Sequence, residues 1–278
     1  MLWRAVVVAL ERAPGLRSRA SVHLHPLAGC PIVWHVVRAI LDVKPAPSSV
    51  IVLHDVGDSV DLGNGTPDVT YEAVPRGDAA RALRFAVGTP GLALIADGAA
   101  PLVDAPSYER LLGAAEAQGT VACIAAERDG RGPVAIAGDG MALAAPPDPR
   151  RPDGATCLTL PDPATGIRIT DRHDMARAAM VVHERLIRQH EERGVSFLLP
   201  MTTWVDLDVR IGADTLVYPG CVLEGSTVIG SECVIGPHSR LIEAHIGRGA
   251  ELKGWNYVAR TSIRNHAVLE PHERRGLD

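Results

Sequence analysis

The sequence predicts two architectures in one chain: an α/β domain with a mostly parallel sheet over residues 1–193, then a short parallel β-helix of hexapeptide repeats over 194–278. Two observations predict this. From Val205 an aliphatic residue recurs at every sixth position, at Val205, Ile211, Val217, Leu223, Ile229, Ile235 and Leu241. Ahead of that stretch, apolar runs of strand length alternate with amphipathic helical patterns, as in βαβ units covered on both faces.

A period of six fits neither an amphipathic helix nor a simple sandwich. Each hexad reads as one short strand and a turn, with three hexads to a coil. The aliphatics would stack inside. Thr215, Cys221, Thr227, Cys233 and Ser239 are small enough for the tight edges, and Gly212, Gly230 and Gly236 would permit the turn conformations. After Leu241 the register slips by one residue to Ile246, Leu252 and Val258, then Ile263 and Leu269. About four coils fit, and the polar tail PHERRGLD reads as a terminus.

In the front half, AVVVAL (5–10) reads as a strand buried on both faces. PIVWHVVRAILDV is a helix opened by Pro31, with Ile32, Val36, Ile40 and Val43 on one face. SSVIVLHD and VTYEAV are strands, GDAARALRFAV a helix, LALIADG a strand. APSYERLLGAAEAQG is a helix ending at Gly119, and TVACIAA another strand. PVAIAGDGMALAA reads as a hairpin, PPDPRRPDG as a loose loop and TGIRIT as a short closing strand. Asp171 would cap the helix DRHDMARAAMVVHERLIRQHEER, whose Met175, Ala179, Val182 and Leu186 share a stripe and which stops before Gly194.

Composition narrows the classes of function. The chain of 278 residues is 46% hydrophobic but only 4% aromatic, so its core is built from Ala, Val, Leu and Ile. A net charge of −5 without a basic run gives no footprint for nucleic acid. No apolar run is long enough to span a bilayer, and the opening MLWRAVVVALER is too short for a signal-peptide core. The five cysteines, Cys30, Cys123, Cys157, Cys221 and Cys233, show no C-x-x-C spacing and read as reduced thiols of a cytoplasmic protein.

VVVALERAPGLRSRASVHLHPLAGCPIVWHV resembles the opening of the methylerythritol-phosphate cytidylyltransferases and their sugar-1-phosphate nucleotidyltransferase relatives. ALIADGAAPLVDAPSYERLLGAAEAQG is similar to the cytidylyltransferase V-H-D-A-A-R-P-L-V stretch with its following helix, and TGIRITDRHDMARAA to the family's K-I-T-x-x-x-D-L-x-x-A ending. Residues 187–247, with the G-V-x-x-x-x-P segment leading into the hexads, resemble the linker and first coils of the bifunctional N-acetylglucosamine-1-phosphate uridylyltransferase/glucosamine-1-phosphate acetyltransferase. The resemblance implies a Rossmann-like nucleotidyltransferase domain, a left-handed β-helix and a homotrimer formed through that helix. It also implies a nucleotide or sugar-phosphate ligand, with Mg²⁺ if the site transfers.

Nucleotidyl transfer needs backbone amides around the triphosphate, cations against the developing charge and a carboxylate-held Mg²⁺. Matched without gaps, the family's two loop glycines fall on Glu11 and Ala13, its Arg on Gly15 and its Lys on Val22. A gap would bring Arg17 or Arg19 to the Arg position. Asp97 keeps the metal position, while the family His and Arg are Ala96 and Ala100. Arg168 stands at the late Lys, and Arg76 where the cytidylyltransferases hold an Arg-containing loop. Arg17, Arg76, Asp97 and Arg168 are therefore the candidate nucleotide- or phosphate-binding residues, with Asp97 the candidate metal ligand and no catalytic residue assigned. Losing one preorganised transition-state contact lowers a rate by about 10²–10³, and several are missing together. The expectation is a weakly active or inactive binding or scaffold protein. An active sugar-phosphate nucleotidyltransferase with an altered loop is the alternative, and a hexapeptide acyltransferase using His238, His245 or His266 a further one. In the bifunctional relative the acetyl-transfer residues lie in later coils.

Overall fold

The computed structural model describes residues 2–10, 12–58, 69–125, 132–145 and 154–276, apart from the side chain of Arg76. Glu11 and most of the loop PPDPRRPDG lie outside the described residues. Contacts divide the chain into two compact units, Met1–Leu27 with Pro31–Ala178, and Ala28–Cys30 with Ala179–Asp278.

The first unit is an α/β layer structure. Its strands are β1 (Trp3–Ala9), β2 (Val50–Asp55), β3 (Val69–Val74), β4 (Leu92–Asp97), β5 (Ala122–Ala125), β6 (Pro133–Asp139) and β7 (Thr156–Leu158), in the order β3-β2-β1-β4-β6-β5-β7. Only the ladders of β6 with β4 and β5 are antiparallel. The sheet is buried on both sides, which explains the unbroken apolar run of β1. Trp3, Ala5, Val7 and Ala9 join one core with Val33, Val36, Ile40 and Leu111 from α1 (Ile32–Leu41) and α3 (Ala105–Gln118). Val6 and Val8 join the opposite core with Leu83 and Val87 of α2 (Ala79–Val87) and Leu143 of α4 (Gly140–Ala144).

Two local expectations fail here. The segment PVAIAGDGMALAA is not a hairpin: β6 runs to Asp139, whose carboxylate then accepts from the Met141 and Ala142 N–H groups at 3.0 and 3.3 Å and starts α4. A carboxylate at that position satisfies first-turn amides that a hairpin would have paired across strands. TGIRIT is not a strand either. Its Thr165 and Gly166 belong to a 3-10 turn (Pro163–Gly166), and Ile167–Thr170 join no ladder among the described residues; an isolated bridge to Gly15 comes from Asp171, just past the segment. Side-chain contacts of Arg168 and Asp174 hold it instead. The helix α5 (Arg172–Glu191) starts as expected, with the Asp174 N–H donating to Asp171 Oδ1 at 2.9 Å.

In the second unit, short parallel strands stack into three faces of five, five and four strands. The hexads sort one to a face: Val217, Ile235, Leu252 and Leu269; Val205, Leu223, Leu241 and Val258; Ile211, Ile229, Ile246 and Ile263. All twelve are buried, as are Thr215, Cys221, Thr227, Cys233 and Ser239 at the edges. The segment read as a polar terminus adds a strand, Arg274–Arg275, against Tyr257–Ala259.

The glycines after the aliphatics act differently from expectation. Left-handed conformations fall at the corners, on Asp214, Glu232, His238, Glu243, Trp255, Arg260, His266 and His272, whereas Gly212, Gly230 and Gly236 are absent from that set. A Cβ on Gly230 would lie 2.6 Å from the Arg248 nitrogen and 2.8 Å from its Cα. These glycines let one coil approach the next. No helix among the described residues is long and apolar enough to cross a membrane.

Candidate functional site

Strand order locates the site. From β1 the chain goes to β2 and β3 on one side, then crosses to β4 on the other. Ligands of open α/β sheets bind beyond the carboxyl ends of the strands at such a reversal. Asp97 ends β4 there, in register with Val8 of β1.

Asp97 is held by both oxygens. Its Oδ1 accepts from the Ala99 N–H at 2.8 Å, closing a tight turn. Its Oδ2 takes the Arg168 Nε at 2.5 Å. The Arg168 Nη2 also donates to the carbonyls of Pro133 and Gly132 at 2.9 and 3.3 Å. The guanidinium is enclosed, with its side chain 5% exposed against 14% for Asp97. The backbone aims it there, because Ile167 and Ile169 on either side are buried and the Ile169 N–H bonds the Ala99 carbonyl at 2.8 Å. The Asp97 charge also reaches the buried Tyr108 phenol, whose ionisation is pushed up by burial first, then by Asp97 and Asp104.

The other candidates are distributed differently. Arg17 sits exposed at φ 47° in the loop after β1, and makes no ion pair among the described residues. Gly15, two residues earlier, bridges Asp171, so this loop lies beside the Arg168 segment. Arg76 opens a 3-10 turn, Arg76–Asp78. Val22, where the resemblance implied a Lys position, is buried and apolar, as are Ala96 and Ala100. His23 is a residue the sequence reading missed. It is 1% exposed, and a Cβ on Gly98 would lie 3.2 Å from its Nδ1 and 3.0 Å from the Val8 carbonyl. The only signal was its place directly after Val22.

The solenoid histidines are dispersed. His238 stands at a corner, its ring 5.5 Å from that of Trp255, which in turn stacks on His272 at 5.5 Å. His266 occupies a different corner, bonding through its backbone N–H to the Arg248 carbonyl, and His245 is exposed in a strand paired on both sides.

Known proteins fit this geometry. Residues 208–242 match the family described as bacterial transferase hexapeptide (six repeats). The bifunctional protein GlmU of Bacillus velezensis is 27% identical over 324 residues, covering 96% of this chain and 71% of that protein. The chain joins a nucleotidyltransferase-like domain to hexapeptide repeats. The GlmU of Geobacillus thermodenitrificans is 42% identical over 107 residues, a stretch covering 38% of this chain and 21% of that relative. A nucleotidyl transferase from Methanothermobacter thermautotroptrophicus shares the fold, with a TM-score of 0.51 at 21% identity over 68% of this chain and 99% of its own.

Proposed function

We propose that the nucleotidyltransferase-like domain holds a nucleotide or a sugar phosphate with little or no transfer, and that the chain works as a binding or scaffold protein assembled as a homotrimer through its β-helix. The observation that carries this reading is the Asp97–Arg168 pair. A Mg²⁺ at Asp97 would share the carboxylate with Arg168, which holds Oδ2, and would sit beside a buried guanidinium. Like charges about 4 Å apart repel by about 4 kcal/mol per unit charge at an effective dielectric of 20. The residues present therefore do not fit Mg²⁺, and no step is routed through one. The missing Lys at Val22 and the buried Ala96 and Ala100 support the same reading. The resemblance of the front half to the sugar-phosphate nucleotidyltransferases supports a phosphorylated ligand of the nucleotide or sugar class.

Active transfer with an altered loop is the second reading, favoured by the Gly15–Asp171 bridge that draws the Arg17 loop toward Arg168. Thermal-shift scans with CTP, UTP, GTP, ATP and dTTP, each with and without Mg²⁺, separate the two. The expected result is a rise in melting temperature with one nucleotide that is the same with or without the metal, through ligand-linked stabilisation. No pyrophosphate should be released when sugar phosphates are added. A rise that requires Mg²⁺ and comes with pyrophosphate release would establish the second reading instead.

Trimerisation has its own measurement. Light scattering on the purified chain should give three times the chain mass, and a monomeric mass would sink the assembly.

A further inference from the structure

At the edge of the sheet β5 and β7 run parallel, and Cys123 and Cys157 are direct partners in their register. Partnered residues of neighbouring strands project from the same face, so the two thiols meet. Their Sγ atoms are 2.6 Å apart, well inside the ~3.5–4.0 Å at which non-bonded heavy atoms pack best. The two are unequal: Cys123 is buried in the core with Ile136, and Cys157 is exposed. Cys221 and Cys233 are buried and donate to the carbonyls of Gly236 and Gly247 at 3.2 and 3.1 Å, which gives them a packing role instead.

We propose that Cys123 and Cys157 form a reversible redox pair, with Cys157 the thiol that a peroxide oxidises and Cys123 the thiol that closes the disulfide. Burial and the neighbouring thiol push Cys123 up to about 12, away from thiolate, the reactive form, whereas Cys157 is exposed where a peroxide reaches it. Its sulfur attacks one peroxide oxygen. An S–O bond forms, the O–O bond breaks, and the departing hydroxide leaves as water with the proton lost from Cys157. The Cys123 sulfur then attacks the sulfenic sulfur of Cys157. An S–S bond forms, the S–O bond breaks, and a second water leaves carrying the Cys123 proton. Two thiols and one peroxide thus give one disulfide and two waters, the sulfurs losing the two electrons that the peroxide gains. A dithiol reverses the reaction by exchange. The cross-link would staple β7, a three-residue strand paired on one side only among the described residues, to the sheet.

The test treats the full chain with hydrogen peroxide, denatures it, alkylates with N-ethylmaleimide and maps the peptides. The expected product is a peptide pair joined through Cys123 and Cys157 and lacking the two thiol hydrogens, with Cys30, Cys221 and Cys233 alkylated as in the untreated protein. Dithiothreitol should abolish it. In Cys157→Ser, an exposed position that leaves the core intact, peroxide should leave Cys123 fully alkylated. In Cys123→Ser, dimedone should capture a sulfenic acid on Cys157. Alkylation of Cys157 unchanged by peroxide would overturn the proposal, as would its passage to sulfinic acid with Cys123 still alkylated.

Discussion

Replacing Ile235 by alanine lowers the stability of the β-helix by roughly 2–5 kcal/mol, the range for truncating a buried large aliphatic. Ile235 is fully buried and lies in register with Val217 on one side and Leu252 on the other. Each coil holds one aliphatic per face, so the cavity has few neighbours able to move in and fill it. The paired control is Val234→Ala in the same strand, where the side chain points outward and is only half-buried. That change should cost about 1 kcal/mol or less. Denaturant titration of both variants, followed by loss of β signal, reads the difference. Equal losses at 234 and 235 would remove the inward-facing role from the hexad aliphatics.

Replacing Arg168 by alanine costs about 3–5 kcal/mol, as expected when one partner of a buried pair is removed and its counter-charge is stranded. Asp97 would keep only the Ala99 N–H, and the Pro133 and Gly132 carbonyls would lose their shared donor. The same substitution frees the second oxygen of Asp97. Millimolar Mg²⁺ should then raise the melting temperature of Arg168→Ala while leaving the parent unchanged, because only the variant offers an oxygen without a cation beside it. The double variant Asp97→Asn, Arg168→Ala should lose the Mg²⁺ response. A parent protein that Mg²⁺ stabilises through Asp97 would defeat the argument that Arg168 stands in the place of the metal.

The solenoid was legible because its signal is local and repeated: a prism with one inward position per hexad writes the same residue type every six places, from Val205 through Leu241. The front elements were legible for a similar reason, since burial on both faces makes β1 a continuous apolar run, and Gly119 marks the end of α3 in the left-handed conformation. Short-range competition was harder to read. Whether Asp139 turns a hairpin or caps a helix depends on which amides lie within its reach, and TGIRIT has strand composition but no ladder to join.

The sequence by itself determined the type and order of the main elements and the inner lining of the β-helix. The tertiary structure alone decided who meets whom. Asp97 and Arg168 are 71 residues apart, and Cys123 and Cys157 are 34 apart. Nothing in the spacing of either pair marks it, because the contacts arise from sheet order and strand register. The same holds for Gly230, whose small size answers to the backbone of the next coil rather than to its own turn. Periodicity reports the environment of one residue at a time, whereas a site is a set of distances between residues that the chain brings together only when it folds.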